Sequence, residues 1–224
     1  MSGRRGFLLD LLFPPRCVFC RSILKRGESG LCAHCQSELP WIVGQAAEQK
    51  LEFISCCASP LWYQGEVRES IHRYKFSDRN GYAKTYGRLV AQCVTDHLSG
   101  RYDLITWVPL SSQSLKKRGY DQAMLLAMAT ALELGDVAVE TLRKARNTDA
   151  QSSLKEDAAR RANVLGAYEV VDPVIVEGKR ILLIDDVVTT GSTLSECARV
   201  LHTYGAADVV CATLTRARGE KSNK

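Results

Sequence analysis

The clearest hydrophobic pattern in this chain is a short apolar run that ends in two acidic residues. Residues 181–184 (ILLI) are uninterrupted apolar positions, which is typical of a strand buried on both faces. Asp185 and Asp186 follow directly, so the pattern predicts that the strand stops there. Residues 189–193 (TTGST) then form a hydroxyl-rich turn, and apolar positions recur at helical spacing across residues 194–201. This stretch therefore predicts a strand, a loop and the start of a helix.

Strand and helix patterns alternate through most of the remaining chain. Strand patterns cover residues 54–63, interrupted at Pro60, and residues 103–110, 168–171 and 209–214. Helical spacing predicts helices after Gly65, over about residues 79–98, and after Asp121, which can cap the last of them. Residues 111–123 (SSQSLKKRGYDQA) are predicted to be a polar loop. Alternating strands and helices with a ligand loop at a strand-to-helix turn predict a parallel α/β sheet flanked by helices.

The first 51 residues follow a different pattern. Residues 7–13 are apolar except for Asp10 and are followed by two prolines, which predicts a short amphipathic helix and not a signal peptide. Residues 41–51 show no clear period and are predicted to connect two domains, 1–51 and 52–224. Because no run approaches the length of a membrane helix, we expect no membrane insertion and a cytoplasmic location.

Four cysteines are spaced as in a metal site. Cys17 and Cys20 form one C-x2-C pair, Cys32 and Cys35 form a second, and eleven residues separate the pairs. Two such turns can aim four thiolates at one ion, so the spacing predicts an N-terminal zinc ribbon with structural Zn2+. Disulfides or a redox pair are the alternatives, but disulfides conflict with the expected compartment and a redox pair does not explain two matched pairs. The other five cysteines are predicted to be core residues.

Composition and charge exclude few classes of function for this chain. The 224 residues are 46% hydrophobic and 25% charged, with a net charge of +5. The sequence pI is about 8.7. A mild positive charge is compatible with phosphorylated ligands or nucleic acid, but it does not distinguish between them.

The stretch around Asp185 has the chemistry of a sugar-phosphate site. The first amides of a helix lack internal partners and attract anions, so the turn at residues 189–193 can hold a phosphate. Two carboxylates suit the hydroxyls of a ribose, or Mg2+ held through its waters. One ligand, a ribose 5-phosphate, would satisfy both. The alternative is a solvated loop after a buried strand, followed by an unremarkable helix cap.

Residues 181–193 resemble the phosphoribosyl pyrophosphate fingerprint of the type I phosphoribosyltransferases. Within these, VPL at residues 108–110, the basic cluster, RGYDQA and the later segment LRKARNTDAQSSL are similar to the ComF family and its relative GntX. Family members typically have asparagine where this chain has Asp121. They also carry a second basic residue within the stretch that here reads SSQS, residues 111–114.

The resemblance implies a role for each part of the predicted site. Asp185 and Asp186 would hold the ribose hydroxyls, and Lys117 or Arg118 with Mg2+ would hold the diphosphate. The phosphoribosyl-binding residues would be the two carboxylates with Val187, Val188, Thr189, Thr190, Gly191, Ser192 and Thr193. Residues 143–161 look like a loop that closes over the site with Lys144 and Arg146, although their composition also fits a solvated helix and loop.

The ComF resemblance implies a protein of DNA uptake, in natural competence or in the use of external DNA, with a competence helicase as partner. Three hypotheses stay open from the sequence. The first is a phosphoribosyltransferase that binds phosphoribosyl pyrophosphate or a nucleotide, including one of nucleotide salvage. The second is a non-catalytic module that binds single-stranded DNA, and the third is a scaffold that docks the helicase.

Overall fold

A six-stranded mixed sheet carries the cleft described below. The computed structural model describes residues 14–76, 81–145 and 165–218. The strands of this sheet are β1 (Glu48–Leu51), β2 (Ile54–Ala58), β3 (Leu61–Trp62), β4 (Leu104–Trp107), β7 (Arg180–Val188) and β8 (Asp208–Arg216). Their order is β1-β2-β8-β7-β4, with β3 paired to the end of β8. Strands β2, β3, β4, β7 and β8 pair in parallel, and β1 pairs antiparallel to β2.

The helices and one further strand pair complete the described elements. A separate antiparallel pair is formed by β5 (Leu142–Lys144) and β6 (Tyr168–Val170). The α-helices are α1 (Ala33–Glu38), α2 (Gly65–Phe76), α3 (Tyr82–His97), α4 (Ser112–Arg118), α5 (Gln122–Leu134), α6 (Pro173–Val176) and α7 (Ser192–Thr203). A 3-10 turn covers Gly44–Ala47.

The alternation of side chains along β7 divides the core into two layers. Leu182 and Ile184 point to one face of the sheet and belong to a cluster with apolar residues of α2, α3 and α5. Ile181 and Leu183 point to the other face and belong to a cluster with α7. All four side chains are fully buried, as expected for a parallel strand covered by helices on both faces. The predicted α/β architecture is confirmed, with the antiparallel edge strand β1 making the sheet mixed.

Three predicted boundaries were wrong. Strand β7 does not stop at Asp185 but continues to Val188, because its ladder with β8 extends that far. The predicted polar loop contains α4, which has no buried residue and therefore shows no apolar period. The predicted connector contains the edge strand β1, whose side chains are only exposed or partly buried. The boundary between residues 51 and 52 stays a prediction.

Other predictions agree with the structure. Asp121 caps α5 by accepting a hydrogen bond from the Met124 amide. Cys56, Cys57, Cys93, Cys197 and Cys211 are buried core residues. The predicted helix at residues 7–13 and residues 146–161 of the predicted closing loop lie outside the described residues. No helix in the described part of the chain is long and apolar enough to cross a membrane.

Helix α2 joins the cysteine-rich segment to the main sheet. The Arg73 guanidinium donates to the carbonyl oxygens of Val18 and Phe19, and the Ser70 hydroxyl also donates to Val18. The Cys35 thiol lies 3.7 Å from a carboxylate oxygen of Glu66, in the first turn of the same helix. The position of the cysteine-rich segment is therefore fixed by the inner side of α2.

A pair of glycines tests this docking. Gly30 and Gly27 both have positive φ, so alanine at either position costs about 1–2 kcal/mol of backbone strain. A Cβ atom at Gly30 would lie 2.0 Å from the Thr85 hydroxyl oxygen on α3, whereas one at Gly27 would meet no atom within 4 Å. We expect Gly30→Ala to lower the free energy of unfolding by a further ~1–3 kcal/mol relative to Gly27→Ala, measured by urea unfolding. Equal losses would contradict the docked arrangement.

Candidate functional site

A cleft of about 680 Å³ opens at the carboxyl ends of β4 and β7, which is the edge where parallel α/β sheets bind ligands. Its volume is that of a pocket for a small molecule. The cleft brings together most of the predicted site residues: Arg118, Lys144, Asp185, Asp186, Val187, Val188, Thr189, Gly191, Ser192 and Thr193. Among the described residues, Lys117 and Thr190 do not line it, and Lys117 is exposed on α4. Arg146 lies outside the described residues.

Asp185 and Asp186 lie on opposite faces of the sheet, because the strand continues through them. Asp186 shares its face with α2, where its carboxylate forms an ion pair with the Lys75 ammonium group at a distance of 2.9 Å. Asp185 shares its face with α7, where its charge acts on the pKa values of Lys144 and Cys197. The two carboxylates therefore reach the cleft from different sides.

The Asp186 carboxylate is nearly buried and is neutralised by Lys75. The Asp186 side chain is 8% exposed and the Lys75 side chain 23% exposed. A buried carboxylate without a partner would be unfavourable, and the ion pair with Lys75 compensates the burial of Asp186 in the cleft. The Thr215 hydroxyl donates to the Asp186 carbonyl oxygen and holds the backbone at the same position.

The Asp185 carboxyl group is in a different electrostatic state. Burial, together with the neighbouring Asp186 charge, raises the pKa of Asp185 to about 8, although Lys75 partly opposes this. Its carboxyl oxygen also accepts a hydrogen bond of 2.8 Å from the Asp186 amide. At neutral pH, Asp185 can therefore donate as well as accept a proton in a hydrogen bond to a ligand hydroxyl.

The β5–β6 pair places one more cation at the α7 side of the cleft. The Lys144 ammonium group lies 5.4 Å from the centre of the Tyr168 ring, a cation–π contact. Burial lowers the pKa of Lys144, and the nearby Cys197 and Asp185 side chains oppose this shift only in part. Lys144 is thus a partly dehydrated cation that an anionic ligand group would stabilise.

The turn after β7 has the geometry of an anion site. Gly191 is the N-cap of α7, with φ of 80°, a conformation that favours glycine. A Cβ atom there would also lie 2.7 Å from a methyl carbon of Leu51. The Thr190 and Ser192 hydroxyls are hydrogen-bonded at 2.8 Å, and the Ser192 amide donates to the Thr190 hydroxyl oxygen at 3.4 Å, at the start of the 12-residue helix. Amides, hydroxyls and the helix dipole therefore converge on one point.

Arg118 is the member of the predicted basic cluster that reaches the cleft. Its guanidinium donates to the Gln122 side-chain oxygen at 2.7 Å and lies 5.2 Å from the centre of the Phe76 ring. Asp121 does not face a ligand in this arrangement, because its carboxylate accepts from the amides of Leu110 and Met124. Asp121 therefore holds the loop after β4 against the start of α5.

Sequence reasoning missed one wall of the cleft. Arg68, His72, Lys75 and Phe76 of α2 all line it. Their spacing in the sequence could have revealed this wall, because steps of four, three and one residues place basic and aromatic side chains on one side of a helix. The sequence predicted only a helix after Gly65, and no ligand-binding role was assigned to its side chains.

The four predicted cysteine ligands also converge. The Sγ atoms of Cys17, Cys20, Cys32 and Cys35 all lie within 4.8 Å of one another. The Sγ atoms of Cys20 and Cys32 are 3.6 Å apart. Four Zn–S bonds of about 2.3 Å in a tetrahedron require sulfur separations of roughly 3.8 Å, so the cluster fits one zinc ion. All four thiols are free, in agreement with the predicted structural zinc site.

Comparisons with known proteins agree with both parts of the chain. Residues 116–224 match the phosphoribosyl transferase domain and residues 8–68 match the double zinc ribbon domain. The chain is 32% identical to the DNA utilization protein YhgH of Salmonella typhimurium, covering 91% of this chain and 100% of that protein. It is 28% identical to competence protein F of Haemophilus influenzae, over 90% and 97% of the two chains. It is 25% identical to competence protein ComFC of Streptococcus pneumoniae, over 87% and 91%.

The raised pKa of Asp185 predicts a pH dependence of stability. The folded state binds more protons than the unfolded state between the ordinary carboxyl pKa, about 4, and about pH 8. The free energy of unfolding should therefore fall as the pH rises from 5 to 8. We expect Asp185→Asn to flatten this slope in urea unfolding at pH 5, 6.5 and 8.

Asp103→Asn is the matched control. Hydrogen bonds from Arg180 hold the pKa of Asp103 well below its usual range, so this carboxylate contributes stability that is lost only as the pH falls towards that low value. Asp103→Asn should therefore leave the slope between pH 5 and 8 unchanged. A slope that Asp185→Asn also leaves unchanged would contradict the assigned state of Asp185.

Proposed function

This chain belongs to the ComF family of DNA utilization and competence proteins, and on that premise we propose that its cleft binds phosphoribosyl pyrophosphate, or a nucleotide-like sugar phosphate, together with Mg2+. The observation that carries the proposal is the anion-binding turn at the start of α7, directly after the two carboxylates of β7. A ligand that contains both a phosphate and a ribose could bind the turn with its phosphate and the two carboxyl groups with its ribose hydroxyls.

The 5-phosphate would bind at the turn of residues 189–193. The amides at the start of α7 and the hydroxyls of Thr189, Ser192 and Thr193, which line the cleft, would donate to its oxygens. Gly191 supports this use, because the turn needs both its positive φ and its missing side chain.

The ribose hydroxyls would bind between Asp185 and Asp186. Asp186 is paired with Lys75, and Asp185 can donate or accept a hydrogen bond, so the two side chains together can bond to two hydroxyls. Carboxylate oxygens are also the protein ligands that Mg2+ prefers, usually through water. When bound, Mg2+ would neutralise the diphosphate, and Asp185 and Asp186 are the residues that could hold it.

Cations around the cleft would hold the remaining charge. Arg118 and Lys144 line the cleft, and Lys117 is on the same short helix as Arg118. Together with Arg146 they are the proposed partners of the diphosphate. Positive charge where the leaving group develops negative charge, with water excluded, is what displacement at the anomeric carbon requires.

If the protein is a transferase, the chemistry needs no nucleophilic side chain. The bond between the anomeric carbon and diphosphate would break, the diphosphate would leave with the electron pair, and an acceptor would form the new bond while losing a proton. The described residues would position the sugar and stabilise the diphosphate. The acceptor would have to enter the cleft beside them.

A second candidate is a non-catalytic module that binds single-stranded DNA or docks a competence helicase in the cytoplasm. It is favoured by the relatives, which are named for DNA utilization and competence. In that case the cleft would bind a nucleotide or the end of a strand. For each phosphate that the protein neutralises, a tenfold rise in salt concentration would weaken binding of the strand by about tenfold.

Calorimetry of the zinc-loaded protein with phosphoribosyl pyrophosphate and Mg2+ tests the proposal. We expect binding by the wild type and at least tenfold weaker binding by Asp185→Asn/Asp186→Asn, which replaces both carboxyl partners of the ribose hydroxyls by amides. Asp136→Asn, an exposed aspartate that caps the Val137 amide away from the cleft, should bind like the wild type. Absent binding by the wild type, or equal binding by the double variant, would overturn the proposed site.

A further inference from the structure

We propose that α2 forms the acceptor subsite of the cleft, and that the acceptor joins an aromatic ring to an anionic group. The inference rests on the proposed sugar-phosphate site, because the acceptor must reach a sugar bound in the same cleft. The ligand chemistry is that of a carboxylated nucleobase or of a nucleotide with its own phosphate.

The first observation is that α2 presents two different sides. Val67, Ile71 and Tyr74 are fully buried in the core. Arg68, His72, Lys75 and Phe76 form a neighbouring stripe of the same helix and line the cleft. The helix is therefore anchored by one side and offers a continuous basic and aromatic surface on the other, which we call the α2 stripe.

The second observation is the charge of the α2 stripe. Lys75 is neutralised by Asp186, at 2.9 Å. In the described part of the chain, no carboxylate forms an ion pair with Arg68 or His72. Among the described residues, Arg68 is therefore a cation on the α2 side of the cleft that no carboxylate neutralises, in addition to Lys144 on the α7 side. An anionic group is the ligand feature that they would recognise.

The third observation is a set of planar side chains next to these charges. The Phe76 side chain is exposed, at 52%. The His72 ring lies 4.8 Å from the Phe76 ring, tilted by 45°, and the Arg118 guanidinium lies 5.2 Å from the Phe76 ring centre. Exposed aromatic rings and guanidinium planes are surfaces on which nucleobases stack. The α2 stripe therefore combines a surface for stacking with side chains that can donate hydrogen bonds to an anionic group.

The position of the α2 stripe assigns it to the acceptor. The phosphate turn belongs to α7 on one face of the sheet, and α2 belongs to the other face. Both line one cleft that crosses the end of β7. A sugar held at Asp185 and Asp186 would have its 5-phosphate on the α7 side, which leaves the α2 side for the group that attacks the sugar.

The test is calorimetry with the zinc-loaded protein saturated with ribose 5-phosphate, which fills the sugar-phosphate site without a leaving group. The probes are uracil, orotate and uridine 5′-monophosphate, which are neutral, carboxylated and phosphorylated. We expect orotate or uridine 5′-monophosphate to bind at least tenfold more tightly than uracil. The tighter of these two identifies a carboxylate or a phosphate as the anionic group.

Two variants separate charge from stacking. Arg68→Gln/His72→Asn should lower the affinity for the anionic probe at least tenfold and leave the affinity for uracil unchanged. Phe76→Leu should lower the affinity for every probe that binds. Affinity for ribose 5-phosphate should change less than twofold in both. Lys84→Gln, an exposed position on α3 outside the cleft, is the matched charge control. Thermal unfolding confirms that each variant is folded.

The outcomes are distinct. The inference is overturned if neither anionic probe binds, if uracil binds as tightly, or if both α2 variants bind the probes like the wild type. It is also overturned if ribose 5-phosphate loses affinity by the same factor, since α2 would then belong to the sugar site. It is overturned as well if the variants lower the affinity for single-stranded oligonucleotides but not for the small probes, since α2 would then bind the backbone of a nucleic acid. Failure of the proposed function itself has a separate signature, which is wild-type protein that does not bind ribose 5-phosphate at all.

Discussion

The hydrogen-bonded ladder between β7 and β8 extends past the apolar run, and this determines the directions of the two acidic side chains. Residues 181–184 are buried on both faces, so the strand cannot rotate without exposing its apolar side chains. Because the ladder continues to Val188, Asp185 must point towards α7 and Asp186 towards α2. Each carboxylate then meets a different environment, which gives one a lysine partner and the other a raised pKa.

The same constraint explains why α2 matters to the cleft. Lys75 can neutralise Asp186 only while α2 lies against the sheet. Its inner side is fixed by Tyr74, whose hydroxyl donates to the Gln122 carbonyl oxygen on α5, and by the contacts of Arg73 with the ribbon backbone. The zinc ribbon, α2 and the cleft are therefore connected by direct contacts.

Much of the fold and half of the cleft could be predicted from the sequence. The apolar run, the hydroxyl-rich turn and the cysteine spacing are local patterns, so residues 181–193 and the ribbon ligands were identified without a structure. The end of β7 was misplaced because acidic residues normally leave a buried strand, and here Lys75, which is distant in sequence, compensates Asp186. Helix α4 escaped prediction because it buries no side chain.

The α2 stripe was missed for a related reason. Basic residues on a helix usually indicate a solvated face, and no local pattern reveals that another part of the chain lies opposite. The ring contacts between His72, Phe76 and Arg118 depend on the folded arrangement of α2 and α4.

The most direct test of the central claim is a crystal structure of the zinc-loaded protein with phosphoribosyl pyrophosphate and Mg2+. The account predicts the 5-phosphate on the amides of residues 189–193 and the ribose hydroxyls at Asp185 and Asp186. A ligand bound with its phosphate elsewhere, such as beside the exposed Lys116 and Lys117, would contradict it.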